Sequence, residues 1–315
     1  MDKVIVGLGE LLWDILPTGK RLGGAPANFS VMAARLGNHG VIASRLGADP
    51  LGASATEALS AFPVDLAAIQ TDPTHPTGTV GVEFRTGEPH YIIHEPAAWD
   101  FMESTPEWQA WAAAADAVCF GSLAQRNPVS RATIRRFLAA TSPECVRVFD
   151  VNLRPPFFSA DVIAESLASA TIFKLNEAEL PQVLAMFQIR MPAHDPESGM
   201  ILAARALLQK FSFKLVAVTM GGQGSLLVTL DSHQRHPGAP VDVIDTVGAG
   251  DAFTAALVDS WLRGGSLLDM SVAANLCGGW VASHSGAMPD LDTATLSVIT
   301  KRSQSTGDSG KDRLS

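Results

Sequence analysis

A glycine-rich turn between a predicted strand and a predicted helix constrains the fold of this chain more than any other segment. The turn is Gly248-Ala249-Gly250, and Asp251 follows it directly. The residues before the turn predict a short buried strand: Val241, Val243 and Ile244. Residues 252–261 have helical spacing and end at Gly264-Gly265. The chain is therefore expected to form a strand, a tight turn and the start of a helix here.

This turn is suited to binding an anion. Gly248 and Gly250 lack a Cβ and tolerate positive φ, so backbone N–H groups can approach a ligand closely. At a helix N-terminus, the N–H donors and the positive end of the helix dipole favour a negative group. A carboxylate at Asp251 is then either a helix-start residue or a base set against a phosphate that is being transferred.

Apolar segments alternate with predicted helices along most of the chain. They predict strands at 4–10, 41–48, 117–121, 146–150, 171–176 and 215–219. Near-continuous apolar strands are typical of a parallel sheet covered on both faces, which indicates an α/β fold. Residues 79–84 and 90–94 flank the turn Thr86-Gly87-Glu88-Pro89 and predict a hairpin. We expect this hairpin to belong to a small separate sheet that could act as a lid.

Composition excludes several classes of protein. The chain has 315 residues, 47% hydrophobic and 17% charged, which is typical of a compact globular protein. The net charge of −9 argues against nucleic-acid binding, and no apolar run is long enough to span a bilayer. Three widely spaced cysteines in apolar surroundings predict reduced core thiols rather than disulfides or a zinc site: Cys119, Cys145 and Cys277. Asp2 and Lys3 lead directly into a strand, so we expect a cytoplasmic protein without an N-terminal signal.

Polar residues near the N-terminus are candidates for binding the hydroxyls of a polyol. Asp14 is a carboxylate in an apolar stretch and could accept hydrogen bonds from the hydroxyls of a polyol, or simply begin a turn before Pro17. Gly23-Gly24 precedes a predicted helix that carries Asn28 in its first turn. The glycines would allow close approach to a ligand, and the amide can bind vicinal hydroxyls. An ordinary glycine loop and helix is the alternative.

Other candidates follow the later strands. Asp150, Asn152 and Arg154 alternate after one strand, at the end where ligands bind in open α/β sheets. Asn176 and Glu179 follow the next strand and could orient water around a phosphate-bound Mg²⁺, although a solvated helix start is also consistent with them. The stretch 220–224 is a glycine turn that could cover a polyphosphate or merely reverse the chain.

Taken in order, these motifs resemble the PfkB (ribokinase-like) family of sugar kinases, and its fructokinase-like members in particular. The resemblance runs from Val4 to about Met288 and is carried by the stretches 23–28, 150–154, 176–179 and 245–251. It implies a three-layer α/β/α domain with a mostly parallel central sheet and a small β lid. We accordingly expect one kinase domain over 1–302, a lid from 11–22 and 76–100, and a disordered tail over 303–315. The stretch 94–98 lacks the arginine that fructokinase-like members often carry there.

The resemblance also implies roles for individual residues. Asp251 would be the catalytic base, and the anion hole would be Gly248, Ala249 and Gly250. The sugar would contact Asp14, Gly23, Gly24, Asn28 and Arg154. ATP would be bordered by Thr219, Gly221, Gly224 and Asn275. Asn176 and Glu179 would lie near Mg²⁺ and the phosphates, with Glu179 reaching the metal through water. Asp245 matches a monovalent-cation position, so K⁺ could bind there, with carbonyls near His284 and Gly286 completing the site.

The implied activity is transfer of the γ-phosphate of ATP to a sugar hydroxyl, with fructose or a related ketose or keto-sugar acid as the expected substrate. Three alternatives remain open: a nucleoside kinase of the same family, a non-catalytic sugar-binding or regulatory relative, and a dinucleotide-binding dehydrogenase. Gly7-Leu8-Gly9 lacks the third glycine of the dinucleotide fingerprint, which disfavours the dehydrogenase. Free edges of the lid strands suggest a homodimer.

Overall fold

In the computed structural model, the described residues are 2–16, 19–85, 88–191 and 195–300, and side chains are described outside 82–91. They form two compact units, which divide between Cys145 and Val146. The predicted tail over 303–315 and part of the predicted turn at 86–89 lie outside the described residues.

The first unit contains a parallel sheet and a smaller second sheet. The parallel sheet has the order β8-β1-β4-β5. In the second sheet, with the order β3-β2-β6-β7, β2 pairs antiparallel with β3 and parallel with β6, and β6 pairs antiparallel with β7. The strands are β1 (Val4–Leu8), β2 (Leu12–Leu16), β3 (Gly19–Gly23), β4 (His39–Gly47), β5 (Ile69–Asp72), β6 (Gly78–Arg85), β7 (Glu88–Ile93) and β8 (Ala117–Phe120). The helices are α1 (Ala25–Arg35), α2 (Pro50–Leu59), α3 (Pro106–Ala114) and α4 (Pro128–Ala140).

The second unit continues the α/β alternation. Its sheet has the order β13-β12-β11-β10-β9, in which β9, β10 and β11 are parallel and the last two strands antiparallel. The strands are β9 (Val146–Asp150), β10 (Ile172–Asn176), β11 (Leu215–Thr219), β12 (Ser225–Val228) and β13 (His233–His236). The helices are α5 (Ala160–Ser169), α6 (Leu180–Met186), α7 (Pro196–Phe211), α8 (Ala249–Leu262), α9 (Leu267–Ala282) and α10 (Thr293–Ile299).

The local sequence explains where these elements begin and what they bury. Asp49 caps α2 by accepting from Gly52 N at 2.8 Å, and Ser266 forms a capping box with Asp269 at the start of α9. Six parallel strands are buried along most of their length, as their apolar sequences predict: β1, β4, β8, β9, β10 and β11. The parallel edge strand β5 has a polar sequence and is mostly not buried. The predicted α/β class, with mostly parallel strands and a small second sheet, is confirmed. The segments expected to form a lid contain β2, β6 and β7 and all of β3 except Gly23.

One predicted strand is wrong. Val241, Val243 and Ile244 lie in irregular backbone, and the two last side chains are 62% and 67% exposed. The reason is that this backbone finds another partner: the N–H groups of Ile244 and Asp245 both donate to the carbonyl of Ala282, at 2.9 and 3.2 Å. The strand that pairs with β12 is instead β13, whose polar sequence gave no apolar signal.

The three cysteines are buried, in agreement with the prediction of core thiols. Within the described ranges, no helix has the length and apolar character needed to cross a membrane.

Candidate active site

The start of α8 is fixed by a glycine that no other residue could replace without rearrangement. Gly248 has φ 77° and is the N-cap of α8. A Cβ at this position would lie 2.6 Å from the Cβ of Ala287 and 2.7 Å from its carbonyl oxygen. Because a glycine has no side chain, it does not cap the first-turn N–H groups of α8. The predicted glycine turn and helix start are confirmed, with Ala249, Gly250 and Asp251 in the first turn.

A buried ion pair lies against this first turn. Lys174 Nζ is 3.1 Å from Asp150 Oδ1 and 3.0 Å from Asp150 Oδ2, and the two side chains are only 9% and 7% exposed. A Cβ at Gly250 would lie 3.1 Å from the same Nζ, so the lysine reaches the backbone next to Asp251. Thr254 Oγ1 is within hydrogen-bond distance of Asp150 Oδ2, at 3.2 Å, and of the carbonyl of Gly250, at 2.9 Å. The end of β9, the middle of β10 and the start of α8 are thus held together.

The electrostatics of this cluster keep the lysine charged. Burial by itself would lower the pKa of Lys174, because a low-dielectric environment disfavours the ammonium. Attraction to the carboxylates around it outweighs that effect and raises the pKa above the ordinary lysine value; these carboxylates belong to Asp150, Glu179 and Asp251. One ammonium therefore faces three acidic groups.

Glu179 connects two strand ends. Its Oε1 accepts from Leu153 N and its Oε2 accepts from Asn176 N, both at 2.8 Å, and the residue is 5% exposed. The amide oxygen of Asn176 accepts in turn from the N–H groups of Ala178 and Glu179, at 2.9 Å each. Each carboxylate oxygen of Glu179 has a further lone pair that could accept a hydrogen bond from a metal-bound water. The oxygens at the end of β10 therefore fit a cation whose other ligands are mostly water and phosphate.

The residues expected to border ATP follow β11 and lie on α9. Thr219 ends β11 and pairs with Asn176. Gly221 and Gly224 both have positive φ, and a Cβ at Gly224 would lie 2.1 Å from the carbonyl oxygen of His236. Asn275 is buried and its Nδ2 lies 2.7 Å from both Ser225 Oγ and the carbonyl of Ser271. Asn275 thereby ties α9 to the start of β12.

Asp245 joins the two loops expected to hold a monovalent cation. Its Oδ1 accepts from Val247 N and its Oδ2 accepts from Gly286 N, each at 3.1 Å. His284 Nδ1 lies 2.7 Å from the carbonyl of Trp280. The predicted proximity of Asp245 to the 284–286 loop is therefore present in the second unit.

In the first unit, the expected sugar contacts gather where β3 leads into α1. A Cβ at Gly23 would lie 2.7 Å from Asp14 Oδ2, so the carboxylate of Asp14 lies directly over this glycine. Gly24 is the N-cap of α1 with φ 120°, and a Cβ there would be 2.5 Å from the carbonyl of Glu10. Asn28 is one turn further along α1 and is 5% exposed. Gly24 is required by its close approach to the backbone as well as by its positive φ, whereas a side chain at Gly23 would meet only the movable carboxylate of Asp14.

Arg154, the remaining predicted sugar contact, belongs to the second unit. It is exposed, and its Nη1 donates to the carbonyl of Leu153 at 3.1 Å.

The sequence reasoning missed Lys174 and Thr254. A usable signal was present for the lysine, because a charged residue interrupts the buried apolar strand Ile172-Phe173-Lys174-Leu175. Thr254 gave no such signal, since a threonine in a helix more often bonds only to the preceding turn.

Comparison with known proteins gives a consistent result. The family model described as pfkB family carbohydrate kinase matches residues 15–294. The fructokinase of Klebsiella pneumoniae is 32% identical over 310 residues, which cover 92% of this chain and 97% of that protein. The fructokinase of Salmonella typhimurium is 29% identical over 314 residues, covering 92% and 97%.

A solved structure supports the same fold. A double mutant of the fructokinase from Vibrio cholerae O395, crystallised with fructose, ADP and a potassium ion, superposes with a TM-score of 0.78 at 27% identity. The match covers 96% of this chain and 99% of that one. The expected ribokinase-like fold is therefore confirmed.

Proposed function

Because this chain belongs to the pfkB family of carbohydrate kinases, we propose that it transfers the γ-phosphate of ATP to fructose or a related ketose or keto-sugar acid. The observation that carries this proposal is the first turn of α8. A glycine that cannot be replaced without rearrangement starts the helix, and the carboxylate of Asp251 follows within the same turn. A base beside N–H donors suited to an anion is what phosphoryl transfer to a hydroxyl requires.

In the proposed reaction, Asp251 accepts the proton of the sugar hydroxyl as its oxygen attacks the γ-phosphorus. The bond from the γ-phosphorus to the bridging oxygen breaks, and ADP leaves. The N–H groups of Gly248, Ala249 and Gly250 stabilise the negative charge on the transferred group. Such preorganised donors contribute more than covalent chemistry in reactions of this class.

The sugar is proposed to contact the residues at the junction of β3 and α1. Asp14 accepts from sugar hydroxyls, and the missing side chains of Gly23 and Gly24 let the sugar approach the backbone. Asn28 supplies an amide that both donates and accepts. Arg154 is proposed as a further sugar contact, since its guanidinium is exposed and able to donate. The fructokinase relatives support a ketose substrate.

ATP is proposed to lie along Thr219, Gly221, Gly224 and Asn275. Asn176 and Glu179 are proposed to hold, through water, a Mg²⁺ ion that would neutralise phosphate charge. Asp245 is proposed to bind a monovalent cation such as K⁺. This assignment is supported by the carboxylate that bridges the two loops and by the potassium ion in the structure of the Vibrio fructokinase.

The second sheet of the first unit is proposed to act as a lid and to form a homodimer. Its edge strands are β3 and β7. Exposed strand edges offer unpaired backbone groups that a second copy of the sheet could extend. The molar mass in solution, measured by light scattering, tests whether the chain forms a homodimer.

The test of the activity is sugar-dependent ADP release in the presence of Mg²⁺ and K⁺. The panel contains fructose, 2-keto-3-deoxygluconate, ribose, tagatose and adenosine, and Asp251→Asn is the matched variant because it removes the base with little change in size. We expect turnover on one ketose or keto-sugar acid, and a loss of at least about 10²-fold in the variant with an unchanged melting temperature. Turnover on adenosine instead would establish the nucleoside kinase. Near-normal turnover by the variant would disprove the role of Asp251.

A further inference from the structure

We propose that Lys174 is a positioning residue for the phosphoryl transfer, which holds the first turn of α8 in place and keeps the carboxylate of Asp251 ionised. This inference rests on the proposed role of Asp251 as the general base.

Lys174 occupies a position that the fold would fill with an apolar residue. It lies in the middle of β10, where it pairs with Asp150 on β9 and with Ala217 on β11. Its neighbours along the strand, Phe173 and Leu175, are completely buried. A buried ion pair seldom stabilises a fold more than well-packed apolar side chains of the same volume do. The presence of a lysine here therefore indicates a role other than stability.

The ammonium of Lys174 contacts the turn that carries the proposed base. A Cβ at Gly250 would be 3.1 Å from Nζ, so the ammonium lies close to the backbone of the residue immediately before Asp251. Thr254 connects the same turn to Asp150 through the carbonyl of Gly250. The ammonium therefore packs against the first turn of α8, and Asp150 and Thr254 connect the two.

The charges around Lys174 explain why replacing this lysine should change the protonation of Asp251. The charged groups that face Lys174 are Asp150 from β9, Glu179 from the loop after β10 and Asp251 from α8. Replacing the lysine by an uncharged residue would remove its ammonium from among these three carboxylates. Like charges favour protonation, so the carboxylate of Asp251 would hold its proton to a higher pH and would fail as a base.

The experiment compares the pH dependence of kcat/KM for the wild type with that of Lys174→Met, on the sugar that gives turnover. We expect the variant to lose at least tenfold in kcat and to shift the acid limb upward by about 1 pH unit. Thr254→Val is the matched control, because it removes a hydroxyl that bonds within the same cluster without changing the charge of the cluster. Its acid limb should stay at the wild-type pH. An unshifted limb in Lys174→Met, or an equal shift in Thr254→Val, would overturn the proposal.

A second variant serves if Lys174→Met does not fold. Asp150→Asn removes a negative charge while keeping the lysine, so its acid limb should move to lower pH. A shift to higher pH in this variant would contradict the inference.

The double variant Lys174→Met/Asp251→Asn separates the two proposals. If Lys174 acts through Asp251, adding the lysine change to Asp251→Asn should cost less than about threefold. Full additivity would overturn the positioning role and leave the base intact. Near-normal turnover by Asp251→Asn alone would instead disprove the role of Asp251 as the base, and absence of sugar-dependent turnover in the wild type would disprove the proposed function.

Discussion

Substitution of Gly248 by alanine tests whether the start of α8 is the anion-binding element. A Cβ there would come within 2.6 Å of the Cβ of Ala287. Since carbon atoms normally approach to about 3.5–4.0 Å, the two segments would have to separate by about 1 Å. A misplacement of about 1 Å at a reacting centre typically costs about 10²-fold in rate. We therefore expect kcat to fall by about two orders of magnitude in Gly248→Ala.

The control for this prediction lies at the other end of the same helix. Gly264 has φ 73°, almost the same left-handed conformation as Gly248 at 77°, but a Cβ there would meet nothing within 4 Å. The strain of a left-handed alanine, about 1–2 kcal/mol, is thus common to both variants. Gly264→Ala should lower the melting temperature by about 2–3 °C and leave kcat close to the wild-type value.

Steady-state turnover and thermal unfolding of the two variants, measured side by side, give the answer. The reasoning would be refuted if Gly248→Ala kept more than about a third of the wild-type kcat. It would also be refuted if Gly264→Ala lost as much activity, since backbone strain alone would then explain both results.

Three further outcomes are expected. Arg126→Met should destabilise the fold by about 3–5 kcal/mol, because it removes the guanidinium that lies 2.7 Å from the buried carboxylate of Asp100. Chemical denaturation measures the free energy of unfolding, and a loss below about 1 kcal/mol would contradict this expectation. Burial by itself would raise the pKa of Asp49, but hydrogen bonds from Thr77 and Gly52 outweigh it, and the folded-state pKa is lowered. The ionised carboxylate therefore contributes fully to stability above the unfolded pKa of about 3.8. This contribution is lost as the pH falls through the lower pKa of the folded state. Asp49→Ala should therefore cost more stability at pH 7 than at pH 2.5 in melting experiments, and an equal cost at both would be inconsistent with this. Burial raises the pKa of the Cys277 thiol to about 12, so iodoacetamide at pH 8 should modify this cysteine only after the protein is unfolded in urea. Peptide mass spectrometry detects the modification, and rapid modification of the folded protein would contradict the prediction.

The sequence determined the parts of this protein that depend on local patterns. Continuous apolar runs predicted most of the parallel strands, because a strand buried on both faces has no polar side. The edge strand β5 has a polar sequence and was not predicted. The glycine turn at 248–250 and the helix after it were predicted correctly, because positive φ and helical spacing are properties of neighbouring residues. The family followed from motifs in the right order.

The tertiary structure decided which segments pair and which charges meet. The apolar residues before Asp245 were expected in a strand, yet their backbone bonds to the end of α9 instead, 38 residues further along from Ile244 to Ala282. Hydrogen-bond partners so distant in sequence leave no local pattern.

The cluster around Lys174 likewise leaves no local pattern in the sequence. The sequence contains each of its residues, but only the fold brings Asp150, Lys174 and the first turn of α8 together. Burial and charge balance are properties of that three-dimensional arrangement, because they depend on groups separated by up to 104 residues, as between Asp150 and Thr254. The sequence therefore identified the class of enzyme, and the structure identified the lysine that is proposed to support its base.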